Sequence, residues 1–169
     1  MNLDSIRQLH TAAVDDFASA AERVSPAVWL SPRAEGKWSP AEIVEHLNTA
    51  YTVVLDEIAG GPGMKIRTTW WQRALLYFPI RRRILTGRGF PVGARAPREV
   101  RPATAPADQR GAIGMFRELA RKFDKAIAAP IESGRRIHIT HAYFGRSSAL
   151  TGMLFTARHI AHHRAQLPP

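Results

Sequence analysis

The chain of 169 residues contains no cysteine. Disulfides, zinc–thiolate clusters and a cysteine nucleophile are thereby excluded. It also lacks a long apolar run: the longest, ALLYFPI at 74–80, falls far short of the roughly 18 residues that span a bilayer. The opening stretch MNLDSIRQLHTAAVDDF has no apolar core of the signal-peptide kind, so a cytoplasmic setting is expected. Convincing strand alternation and internal repeats are missing too. Acidic residues are scarce in one place. Residues 60–106 hold ten basic side chains and a single acid, Glu99, and so carry +9 of the chain's net +10. The remainder is close to neutral.

What is present is globular and helical. Hydrophobic residues make up 45% and charged residues 22%, and the length suits a single domain over 1–169 with a basic Arg/Pro/Gly-rich insertion at about 60–106. Residues 3–24 place Leu3, Ile6, Leu9, Ala13, Phe17 and Ala20/Ala21 on one apolar stripe. SPAE at 39–42 reads as a capping box with Ser39 at the N-cap, Pro40 at N1 and Glu42 at N3. The helix it opens is expected to reach about Ala59, burying Ile43, Leu47, Ala50, Tyr51, Val54, Leu55 and Ile58. Residues 66–86 read as helical on both sides of Pro79, which should kink or split them. Residues 87–107 read as a loop. Helix resumes near Ala107 and is expected to stop before Pro130; a short extended run, RIHIT, follows at 136–140, and a last helix covers about 149–167. The predicted class is all-α, a four-helix bundle with an additional helical element in the 66–86 region.

The last helix carries HIAHH at 159–163. His159 and His163 are four residues apart, which puts their side chains on one face with Cβ atoms about 6 Å apart. Two imidazoles so placed can share a metal, with each nitrogen roughly 2.1 Å from it. His162 lies three residues from His159 and could substitute geometrically. Helical pairs of this kind also occur without a metal. The position that supplies the general base in an H-E-x-x-H peptidase is here Ile160, so that chemistry is disfavoured. A third ligand must come from elsewhere, and His46, one turn inside the capped helix at the edge of its apolar face, is the candidate. A lone histidine there is otherwise a hydrogen-bonded core or boundary residue. One histidine on one helix and a pair on another is how helical bundles build metal sites. His10, His138 and His141 are expected to be solvent-facing or loop-bound.

Two strings resemble a known family. KWSPAEIVEHLNTAY and HAYFGRSSALTGMLFTARHIAHHRAQL are similar to the two signatures of the DinB/YfiT-like superfamily: a Trp, a helix-start Ser/Thr and "HL" in the first, an H-x-x-F-G turn and H-x-x-x-H-x-x-Q in the second. The resemblance implies a four-helix bundle, often a homodimer, with His46, His159 and His163 as ligands of a divalent metal and Gln166 as the trailing Gln. It further implies a metalloenzyme, either a hydrolase or a transferase that presents a low-molecular-weight thiol to a small-molecule substrate. Many members have no known reaction, so a non-catalytic metal-binding or interaction module is the alternative. Imidazole donors suit Zn, Ni, Fe or Cu. Two features depart from the pattern: the stretch from Gly145 to Leu150 is longer than the usual turn, and the basic segment 60–106 has no counterpart.

That segment admits three readings. TTWWQRALLYFPIRRRIL sets Trp70, Trp71, Tyr77 and Phe78 beside Arg81, Arg82 and Arg83. It could pack on the bundle or on a dimer partner, with its arginines solvated or meeting an acidic substrate. It could instead lie on an anionic membrane surface. Attachment to nucleic acid through phosphate contacts is the weakest of the three, since no helix-turn-helix, zinc-finger or RNP signature accompanies it.

Overall fold

The computed structural model describes residues 1–91, 93 and 95–169; Val92 and Ala94, inside the segment read as a loop, lie outside the described residues. Seven α-helices are formed among them: α1 (Leu3–Arg23), α2 (Pro26–Trp29), α3 (Pro40–Ile58), α4 (Trp70–Gln72), α5 (Phe78–Leu85), α6 (Gln109–Glu132) and α7 (Ala149–Arg164). The four long ones make the bundle. Helix α1 packs along α7 and α6, and α3 packs along α6. Phe17, Phe116 and Phe123 fill the middle together with Ile43, Leu47, Ile113, Ile127, Met153 and Ile160, all within the buried core. Phe17 and Phe116 meet with ring centroids 5.0 Å apart. The all-α bundle expected from the helical periodicities is the fold observed.

Helix α3 begins as its sequence dictates. The Ser39 hydroxyl accepts from the Glu42 N–H at 3.2 Å, and the Glu42 carboxylate accepts from the Ser39 N–H at 2.7 Å. Two otherwise unpartnered donors are satisfied together. Because Ser39 is buried, water cannot replace the lost oxygen, and Ser39→Ala should cost about 1 kcal/mol. Urea denaturation checks this: the midpoint should fall with the denaturant slope unchanged.

The structure differs from the sequence reading at two places. Helix α6 does not stop before Pro130 but runs through it to Glu132. Proline in a last turn forfeits a single backbone bond, Pro130 is buried, and the Ser133 and Arg135 N–H groups bond to the Ala129 and Pro130 carbonyls. A small antiparallel sheet is present, β1 (His138–His141) paired with β2 (Gly145–Ser148) in a hairpin where His141 faces Gly145. The added length after Gly145 is this second strand, and Ser148 ends it by capping α7 through the Thr151 N–H. Glu57 of α3 anchors β1, accepting from the Thr140 N–H at 2.9 Å and its hydroxyl at 2.5 Å. Before Pro79 the regular α-helix is split, as expected, into α4 and α5. Residues Arg73–Tyr77 form a π-helical turn that joins α4 to α5. Proline cannot donate to the carbonyl four residues back, and the widened turn takes up the mismatch, with the Phe78 N–H reaching the Arg73 carbonyl.

The segment 60–106 is not a free appendage. A 3₁₀ turn at Arg98–Val100 lies on α3, and α5 lies on α7. Met64, Val100 and Ala142 form a second small core with Ala50, Val53 and Ala96. Arg67 binds Glu99 at 2.9 Å, and the Arg67 N–H donates to the Ala142 carbonyl at 2.8 Å. This segment is thus tied to both α3 and the hairpin.

Candidate metal centre

Imidazole rings bridge helices α3 and α7. His46 projects from α3 and His159 and His163 from successive turns of α7. The Nε2 atom of His159 lies 3.2 Å from that of His46 and 3.0 Å from that of His163. Ligand atoms of all three lie within 4.8 Å of one another, a group that could hold a metal ion. For comparison, two nitrogens on one tetrahedral ion at 2.1 Å would stand about 3.4 Å apart.

The opposite edges of the rings are already engaged. His46 Nδ1 faces the Val100 carbonyl at 2.5 Å. A carbonyl only accepts, so Nδ1 carries the proton and Nε2 presents a lone pair. His163 Nδ1 donates to the Gln166 Oε1 at 2.8 Å, and the same amide's NH₂ donates to His162 Nε2 at 2.8 Å. His163 Nε2 is thereby also a lone pair. Two acceptors therefore point at a third ring nitrogen, and one proton on His159 could serve only one of them well. A cation satisfies all three at once. Ligating histidines with their second nitrogen tied to a carbonyl or amide have this arrangement.

Electrostatics favour the neutral, ligand-ready form. Burial pushes His46 down to about 4. Burial, then the neighbouring His163 and His46, holds His159 well below the ordinary histidine range, and His163 is lowered mainly by burial and then by His46. Among the described residues no carboxylate figures in the charges acting on these three rings.

Aromatic rings wall the triad. Trp38, just before α3, lies 4.8 Å from His46 and stacks over His163 at 6.2 Å. Phe90, from the segment 60–106, lies 4.6 Å from His162 and 5.5 Å from His159. Phe155 follows at 5.9 Å from His159 and touches His141 at 5.1 Å. Two surface hollows of about 460 and 580 Å³ lie elsewhere, and no triad histidine lines either.

The structure brings together His46, His159 and His163, with Gln166 and His162 directly behind His163. It keeps His138 exposed. His10 departs from the expected solvent-facing or loop-bound position: it is buried in the bundle, 2.7 Å from the Tyr51 hydroxyl and against Phe123. His141 does adjoin a turn, but its ring is packed between Phe144 and Phe155. Its Nδ1 accepts from the Tyr143 and Phe144 N–H groups at 3.2 and 3.3 Å, and Gly145 closes that turn at φ 71°, a region only glycine enters freely. This is the physical content of the H-x-x-F-G string. Val100 and Phe90 contribute to the site with no sequence signal, the first through its backbone and the second from inside a loop.

Ile160, the residue after His159, is fully buried in the core, so no general base stands there. No curated protein and no solved structure matches the chain. A family model does, that of the DinB superfamily, over residues 8–167. By that match, and with a helical bundle carrying clustered histidines where the two signature strings fall, the chain belongs to the DinB superfamily.

Proposed function

We propose that this chain is a metalloenzyme in which His46, His159 and His163 hold one divalent ion, Zn, Ni or Fe, and a low-molecular-weight thiol is the cosubstrate. The observation that carries the reading is the convergence of three Nε2 atoms whose two outer partners have their protons committed to the Val100 carbonyl and the Gln166 amide. A divalent cation held by neutral imidazoles acidifies a water or thiol bound at an open position, because it stabilises the conjugate base. With no cysteine in the chain, the sulfur must arrive on a cosubstrate.

Thiol transfer is favoured over hydrolysis by what surrounds the triad. Hydrolytic sites of the H-E-x-x-H kind place a carboxylate base beside the water, and here the residue after His159 is the buried Ile160. Trp38, Phe90 and Phe155 present apolar surface instead. His141, whose Nδ1 accepts two main-chain bonds, carries its proton on Nε2. A cytoplasmic setting, where small thiols are kept reduced, fits this chemistry.

The test is turnover of an electrophilic substrate by metal-loaded protein across a panel of small thiols. Conversion should require both metal and thiol and vanish on chelation. Tight metal binding without turnover across the panel would instead assign a non-catalytic metal module.

A further inference from the structure

The continuous helix from Trp70 to Leu85 buries one side on the bundle: Ile84 is buried, and Tyr77 stacks on Tyr143 at 5.7 Å. Its other side is uncovered. Trp70, Trp71, Leu75, Leu76 and Phe78 are between 47 and 76% exposed. Trp71, Leu75, Phe78 and Arg82 are all exposed along this helical segment. A monomer rarely leaves so many large apolar side chains together in water, and such a patch marks a contact surface.

Charge decides what the contact is. Arg82 and Arg83 are exposed on the same helix, and Lys65 and Arg88 stand exposed nearby in sequence. The segment's one acid, Glu99, is already bound to Arg67. The elements packed against this helix, α7 and the hairpin, contain no Asp or Glu, and none occurs after Glu132. A second copy meeting this face by two-fold symmetry would bring Arg82 and Arg83 against the same arginines. An anionic lipid surface complements both features, with aromatic rings at the headgroup boundary and arginines on the phosphates.

We propose that the exposed face of residues 70–83 docks the protein on anionic membrane lipid. Docking is peripheral, since no helix among the described residues is long and apolar enough to cross a membrane. It is independent of whether the triad is catalytic.

The experiment is co-sedimentation of the full chain with vesicles of phosphatidylglycerol and phosphatidylcholine in equal parts, against phosphatidylcholine alone, at low and high salt. Binding should be at least about tenfold tighter to the anionic vesicles, since each basic residue near the surface adds attraction, and should weaken as salt rises. The exposed variant Trp71→Ser/Leu75→Ser/Phe78→Ser, its fold verified by circular dichroism, should bind at least about tenfold more weakly, as should Arg82→Glu/Arg83→Glu. Failure of the wild-type chain to pellet at low salt overturns the proposal. So does undiminished binding by the serine variant. Sedimentation velocity showing a dimer that the serine variant dissociates would assign the face to a second copy and overturn it equally.

Discussion

Replacing either His46 or His163 with alanine should abolish stoichiometric uptake of a divalent metal while leaving the helical circular-dichroism spectrum in place. Each substitution removes one of three convergent Nε2 atoms, and the remaining pair no longer encloses an ion. The helices should survive because neither histidine supports them: α3 is capped by Ser39 and Glu42, and α7 by Ser148. A graded effect is expected one layer out. Gln166→Ala leaves His163 Nδ1 without its acceptor at 2.8 Å, freeing the ring to turn, and should weaken metal affinity by roughly 10–100-fold without abolishing it. Calorimetric titration with Zn, Ni and Fe(II) reads the whole series. Unchanged metal content in both alanine variants would contradict the site.

Acid should unfold the metal-free protein unusually early. Burial holds His10, His46 and His141 down to about 4 in the folded chain, whereas in the unfolded chain each titrates near 6.5. Between those values the unfolded state binds protons that the native state refuses. Stability is therefore fully present above about pH 6.5 and drains away as pH falls toward 4. For the almost inaccessible His10 and His46 the loss is on the order of 3 kcal/mol apiece, together a large part of the roughly 5–15 kcal/mol that a domain has to lose. Urea midpoints measured in chelator from pH 7 to pH 4 should fall steeply and continuously. His10→Leu/Tyr51→Phe, which removes both members of the 2.7 Å contact, should flatten the slope near pH 5 by about one proton, or about 1.4 kcal/mol per pH unit. A flat profile in the wild-type chain would contradict the buried neutral histidines.

The bundle was legible because its helices announce themselves locally. SPAE caps α3 as its residue types require, and of the stripe read on α1, Ile6, Phe17, Ala20 and Ala21 are buried, while Leu3, Leu9 and Ala13 are only half-buried and His10 and Val14 take the inner face beside them. The stripe also contains the signal for His10: a histidine falling on an apolar face is carried inside with it. The histidine pair could be read from spacing, and His46 from its place on a capped amphipathic helix. What could not be read is tertiary. The proton on His46 is fixed by a main-chain carbonyl 54 residues away, and a carbonyl belongs to every residue type. Phe90 sits in a Gly/Pro-rich loop that has no period. RIHIT reads as extended and overlaps β1, but GRSS carries no strand signal, so the second strand is visible only through its pairing. Pro130 misleads because proline's cost is local whereas the burial that holds it within α6 is tertiary.

X-ray absorption at the metal edge of the purified, metal-loaded protein tests the centre most directly. A three-histidine centre predicts nearest-neighbour scattering from three imidazole nitrogens, at about 2.0–2.1 Å for zinc, and loss of one imidazole or of the metal itself in His159→Ala. A shell of oxygen donors, or a spectrum that His159→Ala leaves unaltered, would contradict it.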